Sequence, residues 1–161
     1  MKSIVIYYSC TSTAKLTAEL MVSFLKEHGE ADILELKGGR EIREFMGLKD
    51  HYSQHEEDIS QEINLDLSGY DLICFGISVW ILETKNVMHN YLEQCFGLED
   101  KRGILYIVPS GIGEQECFGH VEKILSKKGI RSYKNFSVPR DISKDKIKLD
   151  KFIRETLQFY V

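Results

Sequence analysis

The chain lacks any uncharged stretch long enough to cross a bilayer: near its middle the longest, Leu72 to Leu82, is eleven residues, against the ~20 that a spanning helix needs. No membrane helix is expected. The first residues pass from Lys2 straight into a strand pattern, with no apolar leader and no small-residue cleavage site, so a cytoplasmic chain is expected. Cys10, Cys74, Cys95 and Cys117 form no C-x-x-C pair, which argues against a zinc site or a disulfide frame and for reduced thiols. Positive charge is in deficit, 21 Lys and Arg against 25 Asp and Glu, and a formal net charge of -4 excludes a typical basic nucleic-acid surface. There is no low-complexity tract. With 43% hydrophobic and 29% charged residues, a length of 161 supports one soluble core, and a single domain over 1–161 is expected.

What is present begins at the start. Ile4, Val5, Ile6, Tyr7 and Tyr8 form a continuous β-branched and aromatic run, the pattern of a strand buried on both faces. Ser9, Thr11, Ser12 and Thr13 follow at once, and then Leu16, Leu20 and Phe24 recur at helical spacing. Hydroxyls therefore crowd a helix N-terminus. The first turn of a helix has unpaired N–H groups and the positive end of the macrodipole, so a phosphate fits there. One N-cap needs one hydroxyl. Several in a row favour a ligand loop over capping alone.

The pattern predicts a helix over Ser12 to His28 with Gly29 as its stop, then a strand over Ala31 to Leu36 that Lys37-Gly38-Gly39 ends. Between Arg40 and Leu67, Ile42, Phe45, Met46 and Leu48 suggest a helix, followed by a polar stretch over Asp50 to Gln61 that reads as a long loop or a solvated helix. His51 and His55 lie four apart there, beside Asp50, Glu56, Glu57 and Asp58. Without a third ligand at defined spacing, they read as charged surface rather than a metal site.

Asp71 to Ser78 is a second strand pattern buried on both faces, and Thr84 to Cys95 a helix with Val87, Met88, Tyr91, Leu92 and Cys95 on its apolar face. Gly103 to Val108 is a strand, Glu116 to Lys127 a helix stopped by Gly129, Ile130 to Val138 a strand, and Lys146 to Tyr160 a closing helix. This alternation calls for an α/β fold: a three-layer, doubly wound, five-stranded parallel sheet, with 2-1-3-4-5 the common strand order. The crevice then falls at the carboxyl ends of strands one, three and four. Three unusual loops fall there, at Ser9 to Ala14, Ser78 to Leu82, and Pro109 to Gly113.

The segment from Lys2 to Leu25 resembles the opening of the flavodoxin family, whose phosphate loop runs S/T-x-T-G-x-T; here it reads Ser9-Cys10-Thr11-Ser12-Thr13-Ala14, departing at Ser12 and Ala14. Tyr70 to Trp80 resembles the family's Y-D-x-I-x-x-G-x-P-x-W, with Ser78 in place of Pro and Leu82 where Gly is common. The loop Ser110-Gly111-Ile112-Gly113 is similar to the family's third, glycine-containing loop. The resemblance covers nearly the whole chain. It implies FMN, with its phosphate at Ser9, Cys10, Thr11, Ser12, Thr13 and Ala14, and its ring near Ser78, Val79, Trp80, Ser110, Gly111 and Gly113. Trp80, the sole tryptophan, would border the ring, a buried core role being the alternative. The flavin would carry the redox chemistry, with no catalytic side chain required.

The function so implied is electron transfer with a redox partner protein. The alternatives are an FMN-dependent NAD(P)H or quinone reductase and a flavodoxin-like domain that has lost the flavin. Two other classes lack an essential residue. A low-molecular-weight tyrosine phosphatase or arsenate reductase would use Cys10 as nucleophile with an Arg six residues later, but position 16 is Leu16. A receiver domain needs an Asp at the end of the third strand, where Ser78 stands.

Overall fold

The computed structural model describes residues 1–8, 11–36, 63–77, 87–108 and 113–161. Five strands, β1 (Lys2–Tyr8), β2 (Glu30–Leu36), β3 (Leu72–Ile77), β4 (Arg102–Ile107) and β5 (Ser132–Ser137), form one sheet in the order β2-β1-β3-β4-β5. Every pairing is parallel. Among the described residues the helices are α1 (Ser12–Lys26), α2 (Val87–Gln94), α3 (Glu114–Lys127) and α4 (Lys146–Leu157). The expected strand order and alternation are observed.

Alternation along each strand divides the core in two, because successive side chains leave opposite faces. Ile4, Ile6, Ile73, Phe75, Leu105 and Ile107 pack beneath Met88, Leu92, Val121 and Leu125 of α2 and α3. Val5, Tyr7, Cys74, Ile104 and Tyr106 meet Ala18, Met21, Leu25, Leu149 and Ile153 of α1 and α4 on the other face. Each buried Val, Leu, Ile, Phe or Met side chain among them contributes on the order of 1.5–3 kcal/mol on leaving water. The central strands β1, β3 and β4 are buried almost throughout, as their unbroken apolar runs require. The outer strands β2 and β5 alternate with polar residues, which blunts two open edges.

Several boundaries differ from expectation for local reasons. α1 stops at Lys26 rather than His28, because Glu27 N–H donates to Phe24 O and His28 N–H to Leu25 O, tightening the final turn. β5 starts at Ser132 rather than Ile130, since Ile130 N–H donates to Leu125 O and Gly129 N–H to Ser126 O, with Gly129 at φ 78°. That is a Schellman cap, so Ile130 closes α3 instead of opening the strand. α3 begins two residues earlier than expected, at Glu114, and α4 ends at Leu157. The expected helix near Ile42 to Leu48, the polar stretch with His51 and His55, and Thr84 at the start of the middle helix lie outside the described residues.

Among the described residues, no helix is long and apolar enough to cross a membrane, and no group of three or more metal-ligating side chains converges. Cys74, Cys95 and Cys117 are free and buried. Burial pushes the Cys95 thiol up to about 11 and raises that of Cys74 further. Both are inert core thiols at neutral pH.

Candidate functional site

Parallel strands followed by antiparallel helices place helix N-termini, among them those of α1, α3 and α4, at the carboxyl end of the sheet. Their chemistry differs. α4 is capped by an acid: Asp145 accepts from the N–H groups of Ile147 and Lys148, at 3.1 Å each. α3 is capped by Gly113 in the left-handed region, φ 100°, without a side-chain bond, and carries Glu114 and Glu116 in its first turn. Glu114 also accepts from the Ser137 hydroxyl at 2.6 Å. Both ends thus face carboxylates of their own, which complement the helix dipole and repel an anion.

The N-terminus of α1 has no acid in its first turn. Thr11 is the N-cap, in an extended conformation, and its Oγ1 accepts from Ala14 N–H at 3.1 Å. Lys15 N–H reaches Thr11 O at 3.4 Å. The N–H groups of Ser12 and Thr13 donate to no protein acceptor among the described residues. Thr11 and Ser12 are exposed, Thr13 is half-buried, and Ala14 is buried. Two N–H groups without a partner among the described residues therefore lie between short hydroxyl side chains at the positive end of a helix of 15 residues. Backbone donors and a helix dipole in this arrangement are chemically suited to an anion such as a phosphate monoester.

Local sequence explains the geometry. Ala14, Thr17 and Ala18 are small enough to seat the first turns of α1 against the sheet. Thr17 donates from its hydroxyl to Thr13 O at 2.8 Å, which fixes the first turn from within. Beneath the loop ends lie Tyr7, Gly76 and Tyr106, paired side by side across three strands. Burial, then the carboxylates of Glu35 and Glu19, pushes the Tyr7 phenol up to about 12, so it stays neutral.

Of the expected ligand residues, Thr11, Ser12, Thr13 and Ala14 come together at the α1 N-terminus, and Gly113 caps α3. Ser9, Cys10, Ser78, Val79, Trp80, Ser110 and Gly111 lie outside the described residues. Where it is described, the loop expected at the phosphate has donors that fit such a group. Sequence reading did not find the Tyr106 hydroxyl over Gly76, nor the contact between His89 and His120 described below. Each joins residues about thirty positions apart, and no local spacing encodes that.

No protein-family model matches the chain, and no curated protein matches it. Solved structures do. A variant of the flavo di-iron protein from Thermotoga maritima aligns with a TM-score of 0.58 at 16% identity, over 96% of this chain and 35% of that one. The chain therefore spans about a third of that protein. An NADH:FMN oxidoreductase in its apo form aligns with a TM-score of 0.58 at 13% identity, over 97% and 90% of the two chains. The flavodoxin of Streptococcus pneumoniae TIGR4 aligns with a TM-score of 0.56 at 13% identity, over the full length of both. At such identities the likeness is one of fold: the chain has a flavodoxin-like fold.

Proposed function

We propose that the chain is an FMN-binding electron-transfer protein. The observation that carries this reading is the acid-free N-terminus of α1, where Ser12 and Thr13 offer unpaired N–H groups beside the Thr11 cap. The FMN phosphate is held by Ser9, Cys10, Thr11, Ser12, Thr13 and Ala14, and the ring by Ser78, Val79, Trp80, Ser110, Gly111 and Gly113. When bound, the flavin supplies the redox chemistry. The chain's own part is to bind the phosphate through backbone donors, to orient the ring by its loops and to limit water around it. A partner protein delivers or receives the electron.

A second reading, an FMN-dependent NAD(P)H or quinone reductase, is favoured by one feature. The formal net charge of -4 is small, and a carrier steered to a basic partner gains from a stronger field.

The test is an absorption spectrum of the purified protein before and after incubation with FMN and gel filtration. Visible flavin bands that stay with the protein support the site, and their absence overturns it. Steady-state NAD(P)H oxidation by the loaded protein then selects the reductase; its absence, with reduction by a partner protein, selects the carrier.

A further inference from the structure

A second polar feature lies on the α2/α3 face of the sheet. A cleft of about 440 Å³ is lined by Glu93, His120, Lys123, Ile124, Lys127 and Lys128. His120, Lys123 and Lys127 stand at i, i+3 and i+7 of α3, the spacing of a single helical face. Lys128, just beyond the helix, donates to the carbonyls of Glu93 and Cys95, at 2.8 Å each, at the negative end of α2. Its charge is partly answered there. Lys123 and Lys127 have no ion pair or hydrogen bond among the described residues, and both are exposed. Like charges one turn apart repel. Among the described residues only the Glu93 carboxylate lines the cleft with these cations, and an anion in the cleft would offset the remaining repulsion.

The wall of the cleft is itself ordered. His120 Nε2 lies 2.9 Å from His89 Nδ1 on α2. The ring centroids are 5.0 Å apart with planes only 25° from parallel, and with so short an N···N separation the rings meet edge to edge rather than face to face. The contact is one N–H···N bond, holding one proton between the two nitrogens. The other ring nitrogen of His120, Nδ1, makes no hydrogen bond among the described residues. Burial, His89 and Lys123 hold the His120 imidazole towards its neutral form, while Glu93 across the cleft opposes them.

We propose that this cleft is a binding site for a compact, multiply charged oxyanion of the phosphate type, held by Lys123, Lys127, Lys128 and His120. The anion occupies the space between the two unpaired ammonium groups. It offsets the repulsion of Lys123 on His120 and accepts from Nδ1–H. Glu93 is the one carboxylate in the lining, and it favours a ligand seated towards Lys123 and Lys127. The site is separate from the α1 N-terminus, on the opposite face of the sheet.

The experiment is an NMR titration of the histidine ring C2–H resonances with inorganic pyrophosphate at constant ionic strength, in the Ser12→Asp variant so that the α1 loop does not compete. A saturable shift of the His120 resonance is expected, with its titration midpoint moved upward. The Lys123→Ala/Lys127→Ala pair, on exposed side chains, should weaken binding at least tenfold with an unchanged circular dichroism spectrum. A parallel titration with ADP separates the sources of the anion: equal affinity assigns a free phosphate chain, and tighter ADP binding assigns a nucleotide lying along Ile124. A shift that is linear and equal to that produced by chloride at the same ionic strength overturns the proposal. So does undiminished binding in the double lysine variant. Because FMN retention is measured separately, neither result bears on the α1 site.

Discussion

The hydroxyl of Tyr106 lies directly over Gly76: a Cβ on that glycine would sit 2.5 Å from Tyr106 Oη and 2.6 Å from its Cζ. The two residues are register partners on β3 and β4, so the ring lies across the neighbouring strand where any side chain would block it. The hydroxyl is fully buried and has no hydrogen-bond partner among the described residues, and burial, with Cys74 and Tyr7 nearby, raises its pKa far above the ordinary tyrosine range. Gly76→Ala is therefore expected to destabilise by about 1–3 kcal/mol through overpacking, read as a lower urea midpoint. Tyr106→Phe removes an unsatisfied buried group and should be neutral or stabilising by about 1 kcal/mol. A Tyr106→Phe variant markedly less stable than wild type would mean that the hydroxyl has a partner.

Ser12→Asp separates stability from binding by sign. An acid in the first turn of α1 complements the macrodipole and should add about 0.3–1 kcal/mol to stability, while its charge repels a phosphate at the unpaired N–H groups. A higher urea midpoint together with lost FMN retention is expected. Thr11→Ala, which removes the bond from Ala14 N–H, should cost about 1 kcal/mol as a lost cap. Full FMN affinity in Ser12→Asp would place the phosphate elsewhere.

Much of this was legible because it is local. The apolar runs Ile4 to Tyr8 and Leu72 to Ile77 can only be strands covered on both faces, and such strands impose a parallel sheet with crossover helices. The hydroxyl cluster at Thr11 to Thr13 announced a helix start, and the structure puts the cap at Thr11. What the sequence obscured depends on distant contacts. Ile130 reads as strand by composition, yet the cap of α3 claims its N–H. The acids that distinguish the α3 and α4 N-termini from that of α1 acquire meaning only once the sheet sets all three at one end. Gly76 was visible as part of a motif, but its steric reason is a tyrosine thirty residues away.

Arg154 ties α4 to the end of α1. Its guanidinium makes paired bonds to Glu27, at 2.8 and 2.9 Å, and a third to Asp150 at 2.9 Å. The hydrogen bond from Arg154 holds the Glu27 carboxyl below its ordinary range. A carboxyl whose folded-state value is depressed contributes stability that is present above its unfolded value, about 4.3, and is lost as pH falls through the lower folded value. Glu27→Gln should narrow the stability difference between pH 6 and pH 3, and the two proteins should converge at acid pH. The side chains are exposed, so the effect should also shrink in high salt. Parallel urea curves for the two proteins across that range would show that the pair contributes nothing measurable.

The bond between His89 and His120 predicts a separate dependence nearer neutrality. His120 is held below its usual value by burial first, then by His89 and Lys123, so between that lowered value and the unfolded one, about 6.5, the unfolded chain binds the extra proton. Acid then favours unfolding. The contribution is complete above about pH 6.5 and is lost as pH falls through the folded value. A further loss follows from geometry, because two protonated rings would set N–H against N–H across 2.9 Å. Wild-type protein should therefore lose stability as pH falls below about 6.5. His120→Gln, which removes the titrating group at the centre of this contact, should flatten that slope in urea midpoints measured at half-unit steps of pH. An equal slope in both proteins would show that the His89–His120 contact does not carry the acid sensitivity.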